Sequence, residues 1–175
     1  MDLTKHITTI PDYPKPGIMF RDVTSLMHND AAFGVCIERM AEGCLNKNIS
    51  KIVGIEARGF IFGAALAKHM GKGFVPIRKK GKLPRAVFSA TYDLEYGTDT
   101  LELHQDALDP GDKVIVVDDL IATGGTAQAA GQLLQRLGVD IVSFLFVIDL
   151  PDLGGAENLR TLGFPVSSLI SFPGH

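Results

Sequence analysis

The sequence has only two cysteines, Cys36 and Cys44, with no CxxC pair and no histidine at zinc-finger spacing. That argues against a structural zinc site and leaves two thiols expected to be buried or half-buried. The five histidines, His6, His28, His69, His104 and His175, show no ligand spacing of their own. No apolar run approaches the roughly 18 residues of a membrane span. The stretch MDLTKHITTIPDYP carries no basic region followed by an apolar one, so the expectation is a cytoplasmic protein without a membrane partner. An excess of positive charge is also missing. The net charge of -3 creates no general field for nucleic acid, and any basic chemistry has to be local. Neither GxxxxGK[ST] nor GxGxxG occurs, which argues against an ATP-hydrolysing P-loop.

What is there fits a single globular domain over residues 1–175, with 46% hydrophobic and 21% charged residues and no internal repeat or linker. KIVGIE (51–56), KVIVVDD (113–119) and DIVSFLFVID (140–149) are short, rich in Val and Ile, and lack polar alternation. Strands buried on both faces of a parallel sheet have that pattern. GFIFGAALAKHMG (59–71) and TAQAAGQLLQRLG (126–138) repeat apolar residues at helical spacing and end in Gly. The expected fold is α/β, a parallel twisted sheet flanked by helices. GFVPIRK offers a further strand; KKGKLPRAVFSA (79–90) reads as a basic surface loop. A hairpin around Tyr96-Gly97-Thr98-Asp99 would close that loop. IPDYPKPGIMFRDVTSLM reads as Pro-rich and irregular, with Asp30 capping a helix from about Ala31 to Cys44.

VIVVDDLIATGGT (114–126) is the stretch that carries chemistry. Its glycines allow a tight turn with N–H groups pointing inward, and Thr123 and Thr126 add hydroxyls at a helix start, which makes a phosphate cradle. Asp118 and Asp119 end the preceding strand and cannot favour a phosphate. They would suit hydroxyl donors attached to it, such as a ribose diol, and paired carboxylates also attract Mg²⁺, directly or through water. A strand-end turn capped by Asp is the plain alternative.

The motif resembles the 5-phosphoribosyl diphosphate (PRPP) binding motif of type I phosphoribosyltransferases. The similarity continues, in the family's order, through PGIMFRDV, IEARGFIFG, IRKKGKLP and LEYGTDTLELHQDAL, up to about Leu153. Within the family, DDLIATGGT is most similar to members that act on adenine. The resemblance implies a small amino-terminal hood over about residues 1–30 and a flexible β-hairpin flap over about 79–104. The implied reaction is Mg²⁺-dependent transfer of the 5-phosphoribosyl group from PRPP to N9 of adenine, giving AMP and pyrophosphate. The partners are then small molecules rather than nucleic acid, and family members are commonly homodimers.

The implied roles fall on matching positions. Asp118 and Asp119 would hold the ribose hydroxyls, with Mg²⁺ mainly on PRPP and reached by either carboxylate through water. Ala122, Thr123, Gly124, Gly125 and Thr126 would hold the 5′-phosphate. Glu56, Ala57 and Arg58 match the pyrophosphate-binding turn, drawn in the family with a cis peptide, and Arg78, Lys79 and Lys82 the basic stretch that serves the diphosphate. Glu95 and Arg58 are the catalytic candidates, with Tyr96 of the flap excluding water. Phe20 would stack on adenine, the backbone near Met19 and Arg21 would read its edge, and Leu153 would cap the other face. Arg85-Ala86 and the stretch SFPGH fall outside the recognisable pattern. Two rivals remain open: transfer to hypoxanthine, guanine, xanthine or orotate, and a PRPP-sensing regulator without catalysis.

Overall fold

The Val- and Ile-rich runs form neighbouring strands because each offers apolar side chains to both faces at once. The structure, a computed structural model, describes residues 1–94 and 96–174. In chain order its elements are β1 (Thr8–Pro11), β2 (Met19–Asp22), α1 (Thr24–Met27), α2 (Asp30–Glu42), β3 (Lys51–Ile55), α3 (Gly59–Met70), β4 (Gly73–Lys79), β5 (Val87–Asp93), β6 (Thr98–His104), β7 (Lys113–Ile121), α4 (Gly125–Arg136), β8 (Asp140–Asp149), α5 (Gly155–Thr161) and β9 (Val166–Ser171). Seven strands make one sheet in the order β5-β6-β4-β3-β7-β8-β9. The run from β4 through β9 is parallel, and the hairpin β5–β6 joins it antiparallel through β6.

Alternation along β7 divides the core. Val114 and Val116 pack with Ala130, Leu133 and Leu134 of α4, while Ile115 and Val117 pack on the opposite face with Met40 of α2 and Phe62 and Leu66 of α3. All of these side chains are fully or almost fully buried, at roughly 1.5–3 kcal/mol for each large one. Cys36 and Cys44 belong to the α2 side as free thiols, and burial pushes the Cys36 thiol up to about 12.

Several local expectations give way to the tertiary arrangement. The sheet is mixed, since the hairpin β5–β6 supplies an antiparallel edge. The stretch expected to be a loop through Ala90 is already a strand from Val87, paired with His104, and the hairpin turns at Leu94–Gly97, where the Leu94 amide donates to the Gly97 carbonyl. The Pro-rich opening is ordered as the two-stranded β1–β2 sheet, with Ile10 opposite Phe20 and a cis Tyr13–Pro14 bond between the strands. The cap of α2 is Asn29: its backbone is extended and its side chain accepts from the Ala32 amide, while Asp30 lies inside the first turn. Strand β7 runs two residues past Asp119, to Ile121. Helix α5 and strand β9 had no clear sequence signal.

Candidate active site

Chain direction creates the crevice. From β3 the chain moves to β4 on one side, from β7 to β8 on the other, and α3 and α4 leave on opposite faces of the sheet. The carboxyl ends of β3 and β7 are therefore a topological switch point, where both helices present their positive ends.

The turn after β3 holds Glu56, Ala57 and Arg58, with the Glu56–Ala57 peptide cis. Glu56 does not reach out from this turn. Its buried carboxylate accepts from Arg78 Nη2 at 3.2 Å, from the Lys79 amide at 2.7 Å and from Lys82 Nζ. Burial alone would raise its pKa, but the hydrogen bonds from Lys82, the Lys79 amide and Arg78 outweigh it and hold it at about 2. Glu56 thus gathers the basic side chains instead of facing an anion. Lys79 lines the crevice, whereas Arg78 and Lys82 are turned to Glu56.

Across the crevice, Asp119 is buried and its Oδ2 lies 2.6 Å from Arg58 Nε. Asp118 Oδ1 accepts from the Asp119 amide at 2.9 Å and sits against α3, where Gly59 makes the approach possible. A Cβ at Gly59 would stand 2.6 Å from that oxygen and 3.0 Å from the Asp118 Cα. Burial, followed by the charge of Asp119, raises the pKa of Asp118 well above the usual carboxylate range. One acid is paired with a cation and the other is biased toward its neutral form. The two carboxylates therefore oppose an anion less than their formal charge suggests. A cavity of about 430 Å³ lies between them and Glu56, Ala57, Arg58 and Lys79.

A second cavity, about 250 Å³, shares Asp118 and Thr126 with the first and is lined by the whole run Ala122–Thr126. Gly124 caps α4 at φ +86°, and no side chain caps the helix. Its first-turn amides have no acceptor within the helix, which is the chemistry of an anion donor set. The loop is held from behind by Gly155, whose amide donates to the Ala122 carbonyl at 3.0 Å. A Cβ on Gly155 would come within 2.3 Å of that same oxygen. From hairpin β5–β6, the Tyr92 hydroxyl lies 3.3 Å from Thr126 Oγ1 and accepts from Lys79 Nζ at 2.9 Å, while Asp99 also engages Lys79.

The β1–β2 hairpin brings Phe20 near this crevice. The Arg58 guanidinium is 5.7 Å from the Phe20 ring centre, and Tyr13 meets the same ring edge-on at 5.1 Å. Met19 is exposed on β2, and the Arg21 side chain turns away to Thr9 and Phe172. Leu153 is half-buried on the turn Pro151–Leu153 that follows β8. Tyr96 is 82% exposed at the tip of the hairpin and lines neither cavity. Glu95 lies outside the described residues.

Comparison with known proteins explains the arrangement. The phosphoribosyl transferase domain family matches residues 24–158. The adenine phosphoribosyltransferase of Serratia proteamaculans is 57% identical over 97% of this chain and 85% of its own length, and that of Rhodopseudomonas palustris is 55% identical over 99% and 96%. The chain belongs to the adenine phosphoribosyltransferase family. Among solved structures, the adenine phosphoribosyltransferase of Thermoanaerobacter pseudethanolicus superposes with a TM-score of 0.92 at 45% identity, covering 97% of this chain and 98% of that one. The Saccharomyces cerevisiae enzyme, solved with adenine and an imino-altritol bisphosphate, gives 0.89 at 41% identity, with 96% of each chain covered.

In this phosphoribosyltransferase the tertiary structure adds four residues to the site: Gly59, Tyr92, Asp99 and Gly155. Gly59 directly follows Arg58 and its importance is steric, so the signal was one glycine among 19. Tyr92 and Asp99 stand opposite each other across the hairpin, a register that becomes legible once the turn is placed at Leu94–Gly97.

Proposed function

We propose that the chain transfers the 5-phosphoribosyl group of PRPP to N9 of adenine, with Mg²⁺ on the diphosphate, releasing AMP and pyrophosphate in purine salvage. The observation that carries this reading is the adjacency of Asp118 and Asp119 to the Ala122–Thr126 loop around joined cavities. One grips hydroxyls and the other grips phosphate, as a ribose 5-phosphate requires.

Asp118 and Asp119 accept from the ribose hydroxyls, and the amides of the loop with the Thr123 and Thr126 hydroxyls donate to the 5′-phosphate. Arg58 and Lys79, already in the crevice, turn to the diphosphate, joined by Arg78 and Lys82 and by backbone groups of Glu56 and Ala57. As the bond from C1′ to the diphosphate oxygen breaks, positive charge develops on the ribose and the nearby carboxylates favour it. The bond from N9 to C1′ forms, and the N9 proton leaves to Glu95 or to water it holds. Tyr96 closes over the site and excludes competing water. Phe20 and Leu153 bracket the base, while backbone groups at Met19 and Arg21 discriminate its edge.

The donor set suits a metal that arrives with the substrate. Among the described residues no three Asp, Glu, His or Cys side chains gather as a metal centre, and Glu56 and Asp119 are already engaged by cations. Asp118 or Asp119 would hold the ion through water, and when bound it would offset charge on the leaving diphosphate. No helix among the described residues is long and apolar enough to cross a membrane. Our reading includes a cytoplasmic homodimer, supported by the family resemblance.

The deciding experiment supplies PRPP, Mg²⁺ and one base at a time. AMP formation from adenine, with hypoxanthine, guanine, xanthine and orotate left unconsumed, is the expected result. Consumption of another base without AMP formation from adenine overturns the assignment.

A further inference from the structure

After β9 the segment Phe172–Gly174 runs between two parts of the molecule that the seven-stranded sheet does not itself connect. On one side it meets the β1–β2 hairpin: the Arg21 guanidinium lies 4.5 Å from the centre of the Phe172 ring, and Arg21 Nη2 donates to the Pro173 carbonyl at 3.5 Å. On the other side it meets the turn after β8, where the Gly174 amide donates to Asp152 Oδ2 at 2.6 Å. The Phe172 amide fixes the segment to the sheet through the Asp149 carbonyl at 3.0 Å.

Arg21 and Asp152 are the chain neighbours of Phe20 and Leu153. The β1–β2 hairpin is a separate two-stranded sheet, a unit with little stability of its own, so its orientation depends on side-chain contacts to the rest of the molecule. Arg21 is well placed to supply one: Nη1 donates to Thr9 Oγ1 at 2.5 Å across the hairpin, and its Nε is buried without a hydrogen-bond partner. The flat guanidinium is therefore held between the hairpin and the Phe172 ring, with no side-chain carboxylate pairing it among the described residues.

We infer that the segment Phe172–Gly174 is a spacer that sets the separation of Phe20 and Leu153, making Phe172 and Asp152 positioning residues for base binding. The inference rests on the reading of Phe20 and Leu153 as the two walls of the adenine site. The segment's hydrogen bonds and its cation–aromatic contact go to Arg21, Asp149 and Asp152, and Phe172 also packs against the core on the α2 and α3 side; none of these three partners lines the crevice between β3 and β7. Loosening the spacer then weakens the base site and leaves the PRPP groups in place.

Steady-state kinetics with each substrate varied in turn tests this. Phe172→Leu and Asp152→Ala each raise KM for adenine on the order of tenfold, the scale of one desolvated cation–aromatic or charged hydrogen-bond contact. KM for PRPP stays within about twofold, as for sites that do not share contacts. Phe172→Tyr, which keeps the ring, and Asp152→Asn, which keeps the acceptor oxygen, return adenine KM to near the parent value. Phe20→Leu is the control for the underlying reading. If it raises adenine KM while the spacer variants do not, the spacer is overturned and the base site stands. If Phe20→Leu leaves adenine KM unmoved, the base lies elsewhere and both fall. Adenine and PRPP constants rising together in the spacer variants indicate general loosening and also overturn the inference.

Discussion

Arg58 Nε lies 2.6 Å from Asp119 Oδ2, joining the turn after β3 to the end of β7 across the mouth of the crevice. The pair occupies both partners, so on the proposed roles a ribose at Asp119 and a diphosphate at Arg58 would exchange one internal contact for two external ones. Replacing Asp119 by Asn leaves the shape of the site but exchanges a charged carboxylate with two acceptor oxygens for a neutral amide with one. Asp119→Asn is expected to weaken PRPP and AMP binding by about 1.5–3 kcal/mol, the range for a hydrogen bond to a charged group. Unchanged affinity in calorimetry would remove Asp119 from the ribose contact.

Gly59 should tolerate no side chain. Its Cβ would meet the Asp118 Cα and the Val117 carbonyl at 3.0 Å, and both are backbone atoms that move only with the strand. Gly59→Ala is expected to cost about 1–3 kcal/mol of stability as overpacking and to displace Asp118 from the crevice. Urea unfolding measures the first effect and PRPP binding the second. A variant as stable and as tight-binding as the parent contradicts the close packing of α3 on β7.

Glu56 predicts a pH dependence. Its pKa is held at about 2 in the folded chain against 4.5 for an ordinary glutamate, so the unfolded chain binds the proton more readily. The resulting stabilisation is fully present above about pH 4.5 and is lost as pH falls toward 2. At neutral pH it amounts to about 2 kcal/mol, less than the full shift because its cationic partners are partly exposed and screened. Glu56→Gln should therefore be less stable than the parent at pH 7, with the gap narrowing as both are acidified below pH 4.5. A gap that stays constant across that range would show that Glu56 is not ionised in this network.

Much of the architecture was readable because the physics is local. Three Val- and Ile-rich runs could be buried only between two layers of helices, and α3 and α4 follow from apolar residues at helical spacing. Strand β4 came from GFVPIRK with its observed bounds, Gly73–Lys79. The β1–β2 hairpin was not readable, because its prolines and short strands carry little alternation and its pairing depends on contacts made elsewhere. Helix α5, seven residues long, and β9 at the sheet edge were equally faint.

The sequence by itself determined that a turn rich in Gly and Thr, with the composition of an anion cradle, would closely follow two acids in a buried strand, since DD and ATGGT lie two residues apart in the chain and their chemistry needs no distant partner. Only the tertiary structure decided how that charge is managed. Arg58 is 61 positions from Asp119, and Glu56 draws Lys82 from 26 positions away. Both arrangements exist because β3 and β7 lie side by side at the switch point, a neighbour relation set by packing of the whole sheet and not by any stretch of the chain.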